Sequence, residues 1–167
     1  MSERRKEFSK IYDRQINSIY RFVFLKVNSK EKAEDITSEA FSKAWAVFKD
    51  EKREIKNVSA FLYRIAKNLI VDYYRAKDQI LTVPVEEIPI IDHTQDIEQK
   101  SIDKSDMRSI KIALADLSQD YQDVIIWYYL EDLPIEKVAE LSGRTESATR
   151  VLIHRALYSL KDKIQTS

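Results

Sequence analysis

The chain contains a single glycine, Gly143, and the position of that glycine constrains the C-terminal part of the fold. It separates two stretches of helical periodicity. The first opens at Pro134, which suits a first-turn position where a missing N–H costs nothing. A glycine at the end of a helix suits a left-handed C-terminal cap, which other residues adopt only at a cost. The sequence therefore predicts a short helix that stops at Gly143.

A longer helix is predicted to follow directly. Thr145 is its expected N-cap, and Glu146 lies in its first turn near the positive end of the helix dipole. The apolar stripe recurs every four residues, at Ala148, Leu152, Ala156 and Leu160. Two helices joined by a tight, glycine-containing turn form a helix-turn-helix.

The outward face of this second helix carries side chains of the types that reach phosphates and base edges in a major groove. They are Thr145, Ser147, Arg150, His154, Arg155 and Lys161. The same pattern also fits the solvated face of an ordinary αα-hairpin. The unique glycine, the cap and the basic face together favour DNA binding.

Composition narrows the class of protein. One glycine and three prolines among 34% charged residues indicate an all-α fold. The absence of cysteine excludes disulfides and thiolate metal sites, and the two histidines do not form a metal-ligand pair, so neither a metal nor a cofactor is expected. No apolar run approaches the roughly 20 residues that span a membrane, so we expect a cytoplasmic protein without membrane insertion.

The formal net charge is zero, but the charge is unevenly distributed. Residues 1–78 contain 18 Lys and Arg against 12 Asp and Glu, and residues 143–167 contain 5 against 2. The acidic excess lies between them. Positive charge at both ends can bring two separate modules to a polyanion despite the neutral total.

Three amphipathic helices are predicted in the N-terminal part. The first ends near residues 28–29, the second begins near Ser29, and the third begins at Val58. The second carries Glu34, Asp35 and Glu39 near its start. These acids are favourable near a helix N-terminus, and they could also form a docking patch.

The third helix interleaves tyrosines with basic and polar side chains. Its aromatic members are Tyr63, Tyr73 and Tyr74. Aromatic rings beside Arg and Lys can stack on unpaired bases while the cations neutralise phosphates, which suits single-stranded nucleic acid. Core or rim positions for the three tyrosines fit the composition equally well.

Two small helical domains joined by an acidic linker are therefore predicted. The bounds are 1–78 and 106–167 for the domains and 79–105 for the linker, where Pro84 and Pro89 interrupt any helix. In the second domain, Ser118 can cap a helix whose buried side includes Tyr128 and Tyr129. The helix-turn-helix completes this domain.

Three stretches of the chain, in the same order, resemble the extracytoplasmic-function (ECF) sigma factors of bacterial RNA polymerase. The segment AEDITSEAFSKAW is similar to the helix that docks on the polymerase clamp. The segment VSAFLYRIAKNLIVDYYRAK is similar to the helix that captures the minus-ten promoter element as it melts. The C-terminal segment from LADLSQDYQ to RVLIHRAL is similar to the domain that reads the minus-thirty-five element.

The resemblance implies three sets of site residues. The polymerase-docking set is Asp35, Ile36, Ser38, Glu39 and Phe41, with Ser38 standing where the family usually has glutamine. The minus-ten set is Arg64, Lys67, Asn68, Asp72 and Arg75, with Lys52 and Asn57 in the loop that corresponds to the one holding a flipped-out base. The minus-thirty-five set is Arg144, Thr145, Glu146, Arg150, His154 and Arg155. Thr149 occupies a usually apolar position, and its hydroxyl would need a partner if buried.

The resemblance also implies partners and a mode of action. The partners are core RNA polymerase, promoter DNA and an anti-sigma factor, and the chain itself performs no chemistry. Two other hypotheses remain open. A stand-alone helix-turn-helix regulator would bind duplex DNA without polymerase, and a helical protein-interaction adaptor would bind no DNA. No nucleophile–base pair, phosphate-binding glycine loop or metal cluster in the sequence indicates an enzyme.

Overall fold

The computed structural model describes residues 2–27, 29–77 and 104–166. These residues form helices and short connections, and no strand occurs among them, which confirms the all-α prediction. Contacts divide the chain into two units, Met1–Pro89 and Ile90–Ser167. Most of the predicted linker, 79–105, lies outside the described residues.

Three helices form the N-terminal unit: α1 (Glu3–Phe24), α2 (Lys30–Phe48) and α3 (Val58–Lys77). Each begins at a side-chain cap. The hydroxyls of Ser2 and Ser29 accept hydrogen bonds from backbone N–H groups of α1 and α2, at 3.2 and 3.0 Å. The amide oxygen of Asn57 accepts the N–H of Ala60 at 3.0 Å at the start of α3. Such caps satisfy donors that have no partner within the helix.

The three helices pack pairwise around one apolar core. Its fully buried side chains include Ile19 and Phe22 of α1, Ala40 of α2 and Leu62 of α3. The first helix ends at Phe24, four residues before the predicted end. The apolar pattern continues past it because Leu25 and Val27 are also buried, outside the helix.

The C-terminal unit contains α4 (Lys104–Ala115), α5 (Gln119–Ile125), α6 (Ile135–Ser142) and α7 (Glu146–Thr166). A π-helical turn, Ile126–Leu130, continues α5. The predicted cap at Ser118 is confirmed, because its hydroxyl accepts the N–H of Tyr121 at 3.3 Å. The long helix α7 packs against α4, α5 and α6 around a core that includes Leu114, Trp127 and Val138.

The π-helical turn corrects one prediction about side-chain burial. The sequence places Tyr129 on the buried side, but 46% of this residue is exposed. The N–H of Glu131 reaches the carbonyl of Ile126, five residues back, at 2.9 Å. A π-helical turn contains more residues than an α-helical turn, so the residues in it and after it no longer follow the 3.6-residue α-helical period. The prediction from that period therefore placed Tyr129 on the wrong side of the helix.

Candidate nucleic-acid interfaces

The helix-turn-helix forms as the sequence predicts, through a glycine cap. Gly143 has a φ of 68°, in the left-handed region. The N–H of Arg144 donates to the carbonyl of Ala139 at 3.1 Å, and the N–H of Gly143 donates to Glu140 at 3.3 Å. These two bonds are the Schellman pattern. Pro134 is the N-cap of α6 and not a first-turn residue. The helix therefore begins at Ile135, one residue later than predicted.

Thr145 caps α7 and thereby fixes where this helix begins. Its hydroxyl accepts the N–H of Ala148 at 3.1 Å. Thr149, one turn further on, is fully buried, and its hydroxyl donates to the carbonyl of Thr145 at 2.8 Å. The partner that a buried Thr149 hydroxyl requires is therefore the backbone of its own helix.

The buried stripe of α7 differs from the predicted one at its start. Ala148 is exposed, and Thr149, Ile153, Ala156 and Leu160 are buried. Their spacing of four, three and four residues follows the helical period of 3.6 more closely than a constant spacing of four does. Because Thr149 is polar, a search for apolar residues in the sequence did not identify it as the first buried position of this stripe.

The opposite side of α7 and the preceding turn form an exposed polar surface, which we call the recognition face. All six residues of the predicted minus-thirty-five set are exposed on it: Arg144, Thr145, Glu146, Arg150, His154 and Arg155. Two of its arginines form ion pairs with carboxylates. Arg144 Nη2 lies 3.1 Å from Asp120 Oδ2, and Arg150 Nη2 lies 3.6 Å from Glu146 Oε1.

A second exposed polar surface lies on α3. Arg64, Asn68, Asp72 and Arg75 are exposed, and Lys67 is half-buried. Spacings of four, four and three residues place the four exposed members along one side of the helix. The structure thus brings the five residues predicted on this helix for the minus-ten element to its accessible side or its margin.

The tyrosines of α3 differ in accessibility. Tyr63 is 3% exposed, and its ring centre lies 5.1 Å from that of Phe22 in an edge-to-face contact. It is therefore a core residue. Tyr74 is 37% exposed, and its hydroxyl donates a hydrogen bond to the carbonyl of Lys26. Burial, with a smaller contribution from Tyr73, raises the pKa of Tyr74 to about 12, so the protonated, donating form persists to a higher pH than in an ordinary tyrosine.

The loop between α2 and α3 borders a cavity of about 620 Å³ next to α1. Its lining combines apolar side chains with charged ones: Arg4, Glu7, Lys10, Ile11, Arg14, Phe48, Glu51, Glu54, Ile55 and Val58. Neither predicted loop residue lines it. The side chain of Asn57 caps α3, and the backbone N–H of Lys52 donates to Asp50 Oδ1 at 3.0 Å within the loop.

The predicted polymerase-docking residues of α2 divide by burial. Asp35, Ser38 and Glu39 are exposed, whereas Ile36 and Phe41 are 7% and 4% exposed. The ring of Phe41 lies 4.9 Å from that of Tyr12, centre to centre. In this conformation the three polar residues form the accessible surface, and the two apolar ones hold α2 in the core.

The Asp120–Arg144 pair is a feature of the site that sequence reasoning missed. It joins the first turn of α5 to the turn between α6 and α7, across 24 positions. No periodicity or local motif connects residues so far apart in the sequence. Only the packing of α5 beside the helix-turn-helix brings them together.

Among the described residues, no group of three or more His, Asp or Glu side chains is arranged to hold a metal ion. Within the same ranges, no helix has both the length and the apolar character needed to cross a membrane.

Two family models match separate parts of the chain. The model described as Sigma-70 region 2 matches residues 11–80, which include α2 and α3. The model described as Sigma-70, region 4 matches residues 108–160, which include α5, α6 and most of α7. The two matches lie on the two parts of the chain that carry the candidate interfaces.

Curated relatives match most of the chain at low identity. The chain is similar to the ECF RNA polymerase sigma factor BldN of Streptomyces coelicolor, with 26% identity over 92% of this chain, and it spans 58% of the length of that relative. It is also similar to the ECF RNA polymerase sigma factor SigM of Bacillus subtilis, with 23% identity over 90% of this chain and 91% of the relative.

Solved structures share the fold. The sigma factor RpoE of Bartonella quintana, in complex with the anti-sigma factor NepR, has a TM-score of 0.70 and 22% identity, covering 96% of this chain and 98% of that one. The protein CnrH, in complex with the cytosolic domain of CnrY, has a TM-score of 0.67 and 17% identity, covering 98% and 90%.

Proposed function

The chain belongs to the sigma-70 family as an ECF sigma factor, and on this premise we propose that it directs bacterial core RNA polymerase to specific promoters. Polymerase supplies the catalysis, and this chain supplies promoter binding and strand capture. The proposal places the chain in the cytoplasm, where it meets polymerase and DNA.

The observation that carries this proposal is the combination of two surfaces on one chain. The recognition face belongs to a capped helix-turn-helix, the arrangement that reads duplex DNA in the major groove. The α3 surface belongs to a different unit and carries basic and amide side chains on an exposed helix. A stand-alone duplex-binding regulator leaves the α3 surface unexplained, whereas promoter opening needs both.

We assign the domains accordingly. Residues 1–78 would bind the polymerase core and the minus-ten element, residues 79–105 would form the linker, and residues 106–167 would bind the minus-thirty-five element. The exposure of Asp35, Ser38 and Glu39 supports a polar polymerase contact on α2. Ile36 and Phe41 would act by holding that helix in place.

The minus-ten contacts are assigned to α3 and the loop before it. Arg64, Lys67, Asn68 and Arg75 can donate to phosphates and base edges, and Asp72 can accept from exocyclic amines. Extracting a base from the stack costs a few kcal/mol, so a surface that neutralises phosphates helps to retain the melted strand. Lys52 and Asn57 would approach DNA from the loop, with Asn57 held by its capping bond.

An anti-sigma factor is the third proposed partner. The structures that share this fold include sigma factor RpoE bound to the anti-sigma factor NepR. A protein of that kind would regulate this chain by covering its polymerase- or DNA-binding surfaces.

The proposal is tested by copurification of the full chain with core RNA polymerase, followed by run-off transcription from a library of promoter fragments. We expect binding to polymerase and transcripts from a subset of fragments. Duplex binding without any polymerase contact would favour a stand-alone regulator. Absence of both activities would favour a protein-interaction adaptor.

A further inference from the structure

Arg144 is held at both its backbone and its side chain. Its N–H closes the cap of α6 on Ala139 at 3.1 Å, so its main chain is part of the helix-turn-helix turn. Its guanidinium lies 3.1 Å from the carboxylate of Asp120 in the first turn of α5. The side chain of Arg144 is 35% exposed, and that of Asp120 is 56% exposed. Water and a ligand can therefore reach the pair.

The place of Arg144 on the recognition face suits contact with a phosphate. It directly precedes Thr145, the cap of α7, at the end of the helix where N–H groups and the dipole favour an anion. A guanidinium at this place gains from any DNA backbone, whatever the bases. An unrestrained Arg144 would therefore increase binding to all sequences alike.

Resting on the proposed function, we infer that Asp120 is a specificity-determining residue that acts through Arg144. In the free chain the carboxylate neutralises the guanidinium. A phosphate that approaches Arg144 must replace Asp120 or share the guanidinium with it, and the carboxylate repels the phosphate. Asp120 thus lowers sequence-independent affinity and leaves discrimination to base contacts made elsewhere on the recognition face.

The second ion pair of the recognition face provides a useful contrast. Glu146 and Arg150 are one turn apart on α7, so the two side chains can separate without any change between helices. Asp120 lies on a different helix, whose position relative to the turn is set by packing against α6 and α7. The inter-helix pair therefore depends on the packing between helices as well as on its two side chains, and that packing keeps the carboxylate within reach of Arg144.

Exposed ion pairs are worth at most about 1 kcal/mol, which corresponds to a change of about fivefold in an equilibrium. We therefore expect Asp120→Asn to increase affinity for DNA of arbitrary sequence by about twofold to fivefold. The salt dependence should also steepen by about one unit in the logarithmic slope, because one more phosphate is neutralised.

The first experiment measures anisotropy of a labelled duplex of mixed sequence, about three helical turns long, titrated with the full chain at several salt concentrations. The variants are Asp120→Asn, Arg144→Ala and the double variant. Asp116→Asn is the matched control, since Asp116 is another exposed carboxylate of the same unit. Thermal unfolding of each variant shows that the fold is retained.

The double variant separates the inferred mechanism from general electrostatics. We expect Asp120→Asn to have no effect in the Arg144→Ala background, because the carboxylate acts through that guanidinium. If the increase persists there, or if Asp116→Asn gives the same increase, Asp120 acts only as one negative charge among many and the inference is wrong. Unchanged or lower affinity of Asp120→Asn in the native background also overturns it.

A second experiment uses polymerase holoenzyme on a promoter selected by the wild-type chain, with the mixed-sequence duplex as competitor. We expect Asp120→Asn holoenzyme to lose more promoter occupancy to the competitor than wild type does. If the wild-type chain gives no polymerase-dependent transcription, the proposed function fails. If wild type transcribes selectively and the variant responds to competitor as wild type does, only the role of Asp120 fails.

Discussion

The hydroxyl of Thr149 donates a 2.8 Å hydrogen bond to the carbonyl of Thr145, and the hydroxyl of Thr145 accepts the N–H of Ala148 in the same turn. Thr145 thus provides an acceptor for a backbone N–H at the start of the helix. Thr149 donates its buried hydroxyl to a backbone carbonyl, so that hydroxyl also has a partner. The first turn of α7, from which the recognition face begins, is therefore stabilised by side chains at both positions.

Removal of the cap should destabilise this unit. We expect Thr145→Ala to lower the free energy of unfolding by about 1 kcal/mol, because the N–H of Ala148 loses its acceptor. Urea denaturation followed by circular dichroism measures the change. Thr145→Ser keeps an oxygen at the same place and serves as the control. Equal losses in the two variants would mean that the hydroxyl contributes no capping energy.

The turn before that cap depends on backbone conformation. Gly143 has a φ of 68°, and a Cβ added there meets no atom within 4 Å. We expect Gly143→Ala to cost about 1 to 2 kcal/mol from the left-handed backbone alone, without any clash. Gly143→Asn should cost less, because asparagine tolerates this conformation better. Denaturant midpoints of the two variants test this order. An alanine variant that is more stable than the asparagine variant would contradict it.

Features that depend on one or a few neighbouring residues were predictable from the sequence. The caps at Ser118 and Thr145 and the glycine stop at Gly143 were all confirmed. Each of these features depends on a local hydrogen bond or on one φ angle, so the type of residue at that position is enough to predict it. The three N-terminal helices and their starts near Ser29 and Val58 follow from the same local signals.

Features that depend on tertiary packing were not predictable in the same way. The exposure of Tyr129 follows from a π-helical turn that periodicity does not reveal. The burial of Ile36 and Phe41 separates residues that lie together in one sequence motif, since neighbouring positions of a helix face different sides. The contact between Asp120 and Arg144 exists only because two helices pack side by side.

The exposed and buried members of the α2 set should respond differently to mutation. We expect Glu39→Ala to weaken binding to core polymerase with little change in unfolding, because Glu39 is exposed. Phe41→Ala should lower the stability of the N-terminal unit by about 3 to 5 kcal/mol, because Phe41 is buried. Polymerase pull-down and thermal unfolding distinguish the two effects.

The matched control for Glu39 is Glu31→Ala, which removes an exposed acid near the start of the same helix. Its polymerase affinity should remain at the wild-type level. An equal loss for both glutamate variants would indicate that net charge, rather than the position of Glu39, determines docking.

Arg150 should contribute directly to promoter binding. We expect Arg150→Ala to lower the promoter affinity of holoenzyme by about tenfold, since one good arginine contact to a base is worth about 1 to 3 kcal/mol. Arg150→Lys distinguishes a contact to a base from a contact to a phosphate, because lysine retains the charge but lacks the planar guanidinium that pairs with a base edge. Recovery by lysine indicates a phosphate contact. Unchanged affinity and sequence preference in Arg150→Ala would remove this residue from the site.

Lys111 should make the stability of the C-terminal unit depend on pH. Burial lowers the pKa of Lys111 to about 7, against an ordinary value near 10.5, so the unfolded chain binds more protons between these values. Stability should therefore rise with pH above 7, by on the order of 1 to 2 kcal/mol up to pH 9. Urea denaturation at several pH values measures the rise, and Lys111→Met should flatten it. An identical rise in the methionine variant would assign the effect to another group.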